Sequence, residues 1–348
     1  MSLIYVDPLF EMLAHFQEIL SIYRVESGVL LACQPFDFLP REILSSFGME
    51  VVTPPAAVSR RCGKQAGLNF PPEFFDFHIQ PSVLGRAGST DGEPEPVLFD
   101  GFKGYGEDAA VELHGALERL ISETVKKNLK NIDVSLLQKK AEAHNTMRRL
   151  VRGITSARRS APELISYEEL LTVFEAAMAF PPELVLDHLE RLCAYLQDST
   201  KEEKKETGNQ YSCLIFSGAM TQSKTAETVE AAGVTVAEDD HCNGRRQFDL
   251  SVNAASEYLF YELLDALTYR PLCPVLRPPE ERYELLYKLL RNHGIDLVIF
   301  LKDTCCHARL KEMEYLRVRL MRDGIDPLVT TEDAAADDVG RYLAKAAP

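Results

Sequence analysis

Eight consecutive residues, Asp239-Asp240-His241-Cys242-Asn243-Gly244-Arg245-Arg246, bring together two carboxylates, an imidazole, a thiol and two guanidiniums. Carboxylates and guanidiniums at that spacing can pair with each other or with a charged ligand. The imidazole adds proton transfer and the thiol adds metal ligation or nucleophilic chemistry. The alternative reading is a solvated turn, since Asp and Gly are ordinary turn formers and an Arg pair is at home in water. A second group is Ser59-Arg60-Arg61-Cys62-Gly63-Lys64. Three cations around Cys62 would favour its thiolate, and the alternative is a basic surface turn with an incidental Cys. A third is Lys302-Asp303-Thr304-Cys305-Cys306-His307 just ahead of a helical pattern, where the helix dipole favours a thiolate. Adjacent residues seldom point at each other, so Cys306-His307 is a poor catalytic dyad.

The elements around these groups have a common plan. Cys213 to Phe216 is an apolar run of buried-strand length, broken by Ser217-Gly218. A helical pattern spans Thr221 to Ala232 with Ala226 and Val229 on one side, and Gly233 stops it. A second strand, Val234 to Ala237, delivers the Asp239–Arg246 loop where the carboxyl end of a parallel sheet should lie. Open α/β sheets bind ligands at that edge. Further on, Ser251 to Leu267 and Pro279 to Asn292 read as helices, Asp296 to Leu301 as a strand, Arg309 to Arg322 as a helix and Pro327 to Thr330 as a last strand.

The N-terminal half repeats the plan. Residues 8 to 24 form an amphipathic helical pattern through Leu9, Met12, Leu13, Phe16 and Ile19. Gly28 to Cys33 is a strand, a helix starts near Pro40, and Met49 to Thr53 is the next strand. Phe77 to Gln80 and Val97 to Phe99 follow, then a helix from Glu107 to Lys127. Between the halves, residues 128 to 205 are mostly helical. Asp133 is an N-cap candidate, Ser166 to Glu169 fits a capping box, and Pro181-Pro182 separates two helices. The expected division is residues 1–127 as an α/β domain, 128–207 as a helical connection and 208–348 as a second α/β domain.

With 348 residues and 46% hydrophobic content, the chain has material for two cores. No apolar run approaches the roughly 18 residues that a membrane span needs. The start, MSLIYVDPLFEMLAHF, lacks a basic region and carries Asp7 and Glu11, so it is not read as a secretory signal. A net charge of −15 argues against bulk binding to nucleic acid or anionic membranes. None of the eight cysteines forms a CxxC, which disfavours zinc ribbons and ferredoxin loops. Without a secretion signal they are expected as thiols in a reducing cytoplasm. Cys193 and Cys213 fall in helix and strand patterns as core residues, whereas Cys62, Cys242, Cys305 and Cys306 are the better ligand candidates. No G-x-G-x-x-G, Walker A or G-x-S-x-G motif is present.

Taken together, these residues resemble the 2-hydroxyacyl-CoA dehydratase / benzoyl-CoA reductase family, in its cluster-carrying D-component. The most specific part is DDHCNGRRQFD, which matches the family's D-D-x-C-x-G-x-R-x-F-D at Asp239, Asp240, Cys242, Gly244, Arg246, Phe248 and Asp249. Glu230 to Gly233, Cys273-Pro274, the strand leading to Cys305, Gly324-Ile325-Asp326-Pro327 and the Pro40-x-Glu42 helix start extend the likeness over most of the chain. The resemblance implies an α/β fold of two Rossmann-like (flavodoxin-like) parallel-sheet domains joined by a helical layer.

It also implies a cytoplasmic hydro-lyase subunit that works as a heterodimer with a related chain. An ATP-dependent activator protein would deliver one electron, and a ketyl radical of the 2-hydroxyacyl-CoA would expel hydroxide. In the reductase branch the electron would enter an aromatic ring. The implied cofactor is a [4Fe–4S] cluster on Cys62 and Cys305. The family's second cysteine has no counterpart at Pro81-Ser82, so Cys33, Cys306 or an oxygen of Ser82 would complete the set. The other outcome is a cluster-free homologue acting as a structural or partner-binding subunit. Substrate contacts are expected at Arg246, Asp240, Arg60, Arg61 and Lys64, with Glu42 and His307 as candidates for catalysis.

Overall fold

The computed structural model describes residues 3–34, 38–55, 74–81, 97–100, 106–202, 211–218, 224–269, 280–302, 307–331 and 334–346. Within them stand two four-stranded sheets, each wholly parallel. The first contains β1 (Leu30–Cys33), β2 (Met49–Val52), β3 (Phe77–Pro81) and β4 (Val97–Phe99), in the order β2-β1-β3-β4. The second contains β5 (Tyr211–Phe216), β6 (Val234–Asp240), β7 (Leu297–Leu301) and β8 (Leu328–Thr330), in the order β6-β5-β7-β8. The orders are the same, so strand order reverses between β1 and β3 in one sheet and between β5 and β7 in the other. Such switch points open a crevice at the carboxyl edge of an α/β sheet.

The helices are α1 (Leu3–Ala14), α2 (Phe16–Ser27), α3 (Arg41–Ser46), α4 (Gly106–Thr124), α5 (Val134–Ser160), α6 (Tyr167–Ala179), α7 (Pro182–Glu202), α8 (Lys224–Ala231), α9 (Leu259–Tyr269), α10 (Glu280–His293), α11 (His307–Arg322) and α12 (Ala335–Ala346). Two of the anticipated caps are present: Asp133 accepts from the Leu136 N–H at 3.0 Å, and Ser166 and Glu169 form a reciprocal capping box. Gly48 and Gly233 follow α3 and α8 with φ of 85° and 87°, a left-handed backbone that suits glycine.

Three apolar clusters organise the layers. The largest joins both sheets to α5, α6 and α7, through Leu31 and Val52 on one side and Ile215, Val236 and Ile299 on the other. The outer face of the first sheet packs on α3, α4 and α9, and that of the second on α10 and α11. The helical layer is thus a shared floor under two sheets whose carboxyl edges carry the loops.

Several boundaries differ from the sequence reading. The helix expected over 8–24 is two helices meeting at His15. α1 packs on α6 and α7. The helix expected from Ser251 begins at Leu259, because Asn253 and Ser256 cap local turns with their side chains. Asp239 and Asp240 are the last two residues of β6, not the start of a loop. An irregularity in the β5–β6 register between Cys213 and Leu214 lengthens the strand and carries both carboxylates into the sheet. α12 is an element that the sequence reading did not include. No helix among the described residues is long and apolar enough to cross a membrane.

Candidate functional site

The end of β6 runs into a tight turn at Cys242 and Asn243 and then a single 3-10 turn, Arg245–Phe248. Two contacts fix this segment against the end of β5. The Cys242 N–H donates to the Gly218 carbonyl at 2.9 Å, and Ser217 Oγ pairs with His241 Nδ1 at 2.7 Å. Gln247 Nε2 donates to the Cys242 carbonyl. Gly244 has a steric reason to be glycine. A Cβ placed there would lie 1.9 Å from Asp239 Oδ1, which accepts the Arg245 N–H at 2.9 Å.

Asp240 is the centre of the site. It is buried and surrounded by three guanidiniums: Arg246 at 3.2 Å, Arg282 of α10 at 2.9 Å and Arg309 of α11 at 3.5 Å. Glu312, also buried, pairs with Arg282 at 2.8 Å and Arg309 at 2.5 Å. Arg309 donates to the backbone carbonyls of Ser217 and Asp240 and lies over the Phe216 ring, 3.6 Å from its centroid. One side chain from α11 therefore ties the ends of β5 and β6 together. Burial alone would raise the Asp240 pKa, but Arg282, Arg309 and Arg246 hold its carboxyl well below the usual carboxylate range. Among the described residues, three guanidiniums face two carboxylates in this group. Burial, and then the neighbouring Arg282, lower the pKa of Arg246.

His241 is fully buried, with Tyr167 edge-on to its ring at 6.1 Å. Burial pushes its pKa down to about 4, so at neutral pH the ring is uncharged. Arg245 turns away from this group and pairs with Glu238 at 3.0 Å and Asp249 at 3.0 Å, while Arg159 of α5 also meets Glu238.

Glu42 stands apart, in the first turn of α3. It is fully buried and paired with Arg148 of α5 at 2.5 Å. Burial would raise its pKa, but Arg148 and then His144 lower it. Its Oε2 has no hydrogen-bond partner among the described residues. Arg41, His144, Arg148 and Gln247 help to line a cavity of about 10 Å³ at this junction, close to the space one water occupies. Gln247 links that junction to the Cys242 segment. The much larger hollow of about 710 Å³ lies among Glu118, Arg119, Ser122, Lys126 and Lys127, and none of the candidate site residues lines it.

The structure thus brings Asp240 and Arg246 together and sets Glu42 in a separate buried pair. Cys33 ends β1, half-buried, with Sγ 3.1 Å from His78 Nδ1. Cys193 and Cys213 are core residues, and burial pushes both thiols up. His307 is the first residue of α11. Cys62, Arg60, Arg61, Lys64, Ser82, Cys273, Cys305 and Cys306 lie outside the described residues. Among the described residues no group of three or more His, Cys, Asp or Glu stands together as a metal site.

Sequence reasoning did not single out Arg282, Arg309, Glu312 or Arg148. For Arg148 a signal existed. Leu137, Ala141, His144, Arg148, Val151, Thr155 and Arg158 recur at alternating steps of four and three along α5, and all are buried. Polar residues on an apolar stripe mark internal pairs. Arg282 and Arg309 carry no such mark, lying in charged helical segments that read as solvated.

Two parallel sheets with matching switch points, and a buried carboxylate–guanidinium group at the edge of the second, define a two-sheet α/β protein with its working loops on the carboxyl edges. The family model for 2-hydroxyglutaryl-CoA dehydratase, D-component, matches residues 100–345, and the chain belongs to that family. No curated protein matches the chain.

Proposed function

We propose that this chain is the cluster-carrying subunit of a 2-hydroxyacyl-CoA dehydratase, eliminating water from its substrate after one-electron activation. A related subunit and an ATP-dependent activator protein would be its partners. The observation that carries the reading is the Asp239–Asp249 segment inside the family match, standing at the carboxyl edge of a parallel sheet. The cofactor would be a [4Fe–4S] cluster on Cys62 and Cys305, completed by Cys33 or Cys306. When bound, it supplies one-electron chemistry and an iron that can act as a Lewis acid.

The chain's own residues would do the rest. Arg309 and Arg282, anchored on Asp240 and Glu312, hold the ends of β5 and β6 rigid. The guanidiniums of Arg246, Arg282 and Arg309 would favour negative charge developing at this edge, where low dielectric strengthens the attraction. Arg60, Arg61 and Lys64 would take the phosphates of CoA. Glu42, held as a carboxylate by Arg148, has one oxygen without a hydrogen-bond partner among the described residues, which suits a proton acceptor.

The test is calorimetric titration of anaerobically purified protein with a 2-hydroxyacyl-CoA, beside free CoA and the free 2-hydroxy acid. The expected result is tighter binding of the thioester than of either part. Equal or absent binding of the thioester in folded protein would falsify the substrate assignment.

A further inference from the structure

Among the described residues, the tyrosines that stand exposed all belong to one helix: Tyr258, immediately ahead of α9, at 68%, Tyr261 at 60% and Tyr269 at 69%. The Glu262 N–H donates to the Tyr258 carbonyl at 3.0 Å, so Tyr258 is already on the helical path. Tyr258, Tyr261, Asp265 and Tyr269 recur at helical spacing and share one side of α9. Leu259, Leu263, Leu264 and Leu267 face the other way and are buried in the core of the first sheet's outer layer. Glu257 and Asp265 stand exposed among the tyrosines. α4 packs alongside, its His114 ring edge-on to Phe260 with centroids 5.6 Å apart, and Asp108 and Glu112 are exposed on it. The chain has 38 Lys and Arg residues, yet none falls in 106–118 or 251–269. Elsewhere the fold covers tyrosine rings with guanidiniums: Arg319 lies over Tyr283 at 4.6 Å, Arg291 over Tyr287 at 5.2 Å and Arg158 over Tyr167 at 5.2 Å. The α9 tyrosines have carboxylates beside them and, among the described residues, no guanidinium over them.

We infer that the outer side of α9 is a docking surface for a second, different protein whose matching surface carries arginines. A guanidinium can lie flat on a phenol ring while its N–H groups donate to a neighbouring carboxylate. Tyr258 with Glu257, and Tyr261 and Tyr269 either side of Asp265, offer that pairing along the helix. Tyrosine and arginine are also the side chains that dominate binding energy at protein interfaces, and a tyrosine brings a large contact area with few torsions to fix. A second copy of this chain is a poor occupant. It would set the same carboxylates against each other, on a chain with net charge −15, and like charges in apposition oppose association. Nucleic acid and anionic membranes are repelled for the same reason. Nothing on this face draws on the residues of either carboxyl edge, so the inference stands or falls apart from the dehydratase reading.

The probe is a short fluorescent helical peptide with arginine along one face and alanine elsewhere, beside its lysine analogue. Anisotropy titrations measure its affinity for the full chain, hydrogen exchange locates the contact, and sedimentation reports the oligomeric state. The variants are Tyr258→Ser/Tyr261→Ser/Tyr269→Ser on the face and, as a control for net charge, Glu190→Gln/Glu314→Gln, two exposed carboxylates on other helices. Circular dichroism checks that both fold. The expected result is that the arginine peptide binds more tightly than the lysine peptide and slows exchange over 257–269. The triple tyrosine variant should lose about tenfold or more in affinity, while the charge control keeps it. Equal affinity of the two peptides, equal affinity of the triple variant and the wild type, or protection confined to other segments would each overturn the inference. So would a dimer of the wild-type chain that the triple variant abolishes, which would assign the face to a second copy.

Discussion

The two sheets have the same strand order and the same parallel hydrogen bonding, yet their carboxyl edges are finished in opposite ways. At the second sheet, Asp240 is closed in by Arg246, Arg282 and Arg309, and the group is cut off from solvent. At the first, Cys33 and His78 meet with both side chains still partly exposed. Topology dictates where the edge is. The side chains dictate whether it is closed by buried ion pairs or by a half-buried thiol and imidazole. A buried ion group is costly to assemble because each charge must be desolvated, and loss of any one member is then strongly destabilising. A half-exposed pair of neutral side chains carries less of that cost.

The largest effect that sharpens this contrast should come from Asp240→Ala. It leaves three buried guanidiniums with one carboxylate, and chemical denaturation should show a loss on the order of 3–5 kcal/mol. An effect below about 1 kcal/mol would mean that the group is solvated in solution.

Arg148→Met should cost roughly 3 kcal/mol by leaving Glu42 buried without its partner. The double variant Glu42→Gln/Arg148→Met should be more stable than Arg148→Met alone. If the two losses simply add, the pair is not coupled.

The next prediction concerns pH. His241 has a folded pKa of about 4, below its ordinary value of 6.5, because burial penalises the charged ring. The unfolded chain therefore takes up this proton first as pH falls. The stability linked to His241 is complete above about 6.5 and is lost progressively down to about 4, a change on the order of 3 kcal/mol. Denaturation curves from pH 7 to 4 should show a shallower decline for His241→Asn than for the wild type. Parallel declines would mean that the ring is not sealed.

Gly244→Ala should cost about 1–3 kcal/mol, because the new methyl group meets the Asp239 carboxylate and one of them must move. Thermal unfolding of this variant, beside Gly340→Ala, where a Cβ meets nothing within 4 Å, isolates the clash. The smallest effect should be Ser166→Ala, at about 1 kcal/mol, through loss of the α6 capping box. It lies in the shared helical layer and should leave the properties of both edges unchanged.

Much of this molecule was legible before folding. The apolar runs at 213–216 and 297–301 became β5 and β7, and the caps at Asp133 and Ser166 formed as their spacing required. The Asp239–Arg246 segment stood out by its residue types alone. These features are local: a strand, a cap or a turn is decided by a few neighbouring residues and by periodicity. The resemblance carried by DDHCNGRRQFD likewise needed only a short run of sequence.

What the tertiary structure decided is which charges meet. Arg282 lies 42 residues from Asp240, Arg148 lies 106 from Glu42, and Cys33 lies 45 from His78. In sequence, Arg282 and Arg309 are two cations in charged helices, with nothing to separate them from their exposed neighbours. Only packing of α10 and α11 against the second sheet takes them out of water, and once there they must find carboxylates and carbonyls. The same packing placed Asp239 and Asp240 in a strand, through a one-residue irregularity opposite β5 that local patterning does not encode. Sequence determined the elements and the chemistry on offer; the fold decided which of it is buried in pairs and which stands open at an edge, because burial and long-range pairing are properties of the assembled sheets and not of any single segment.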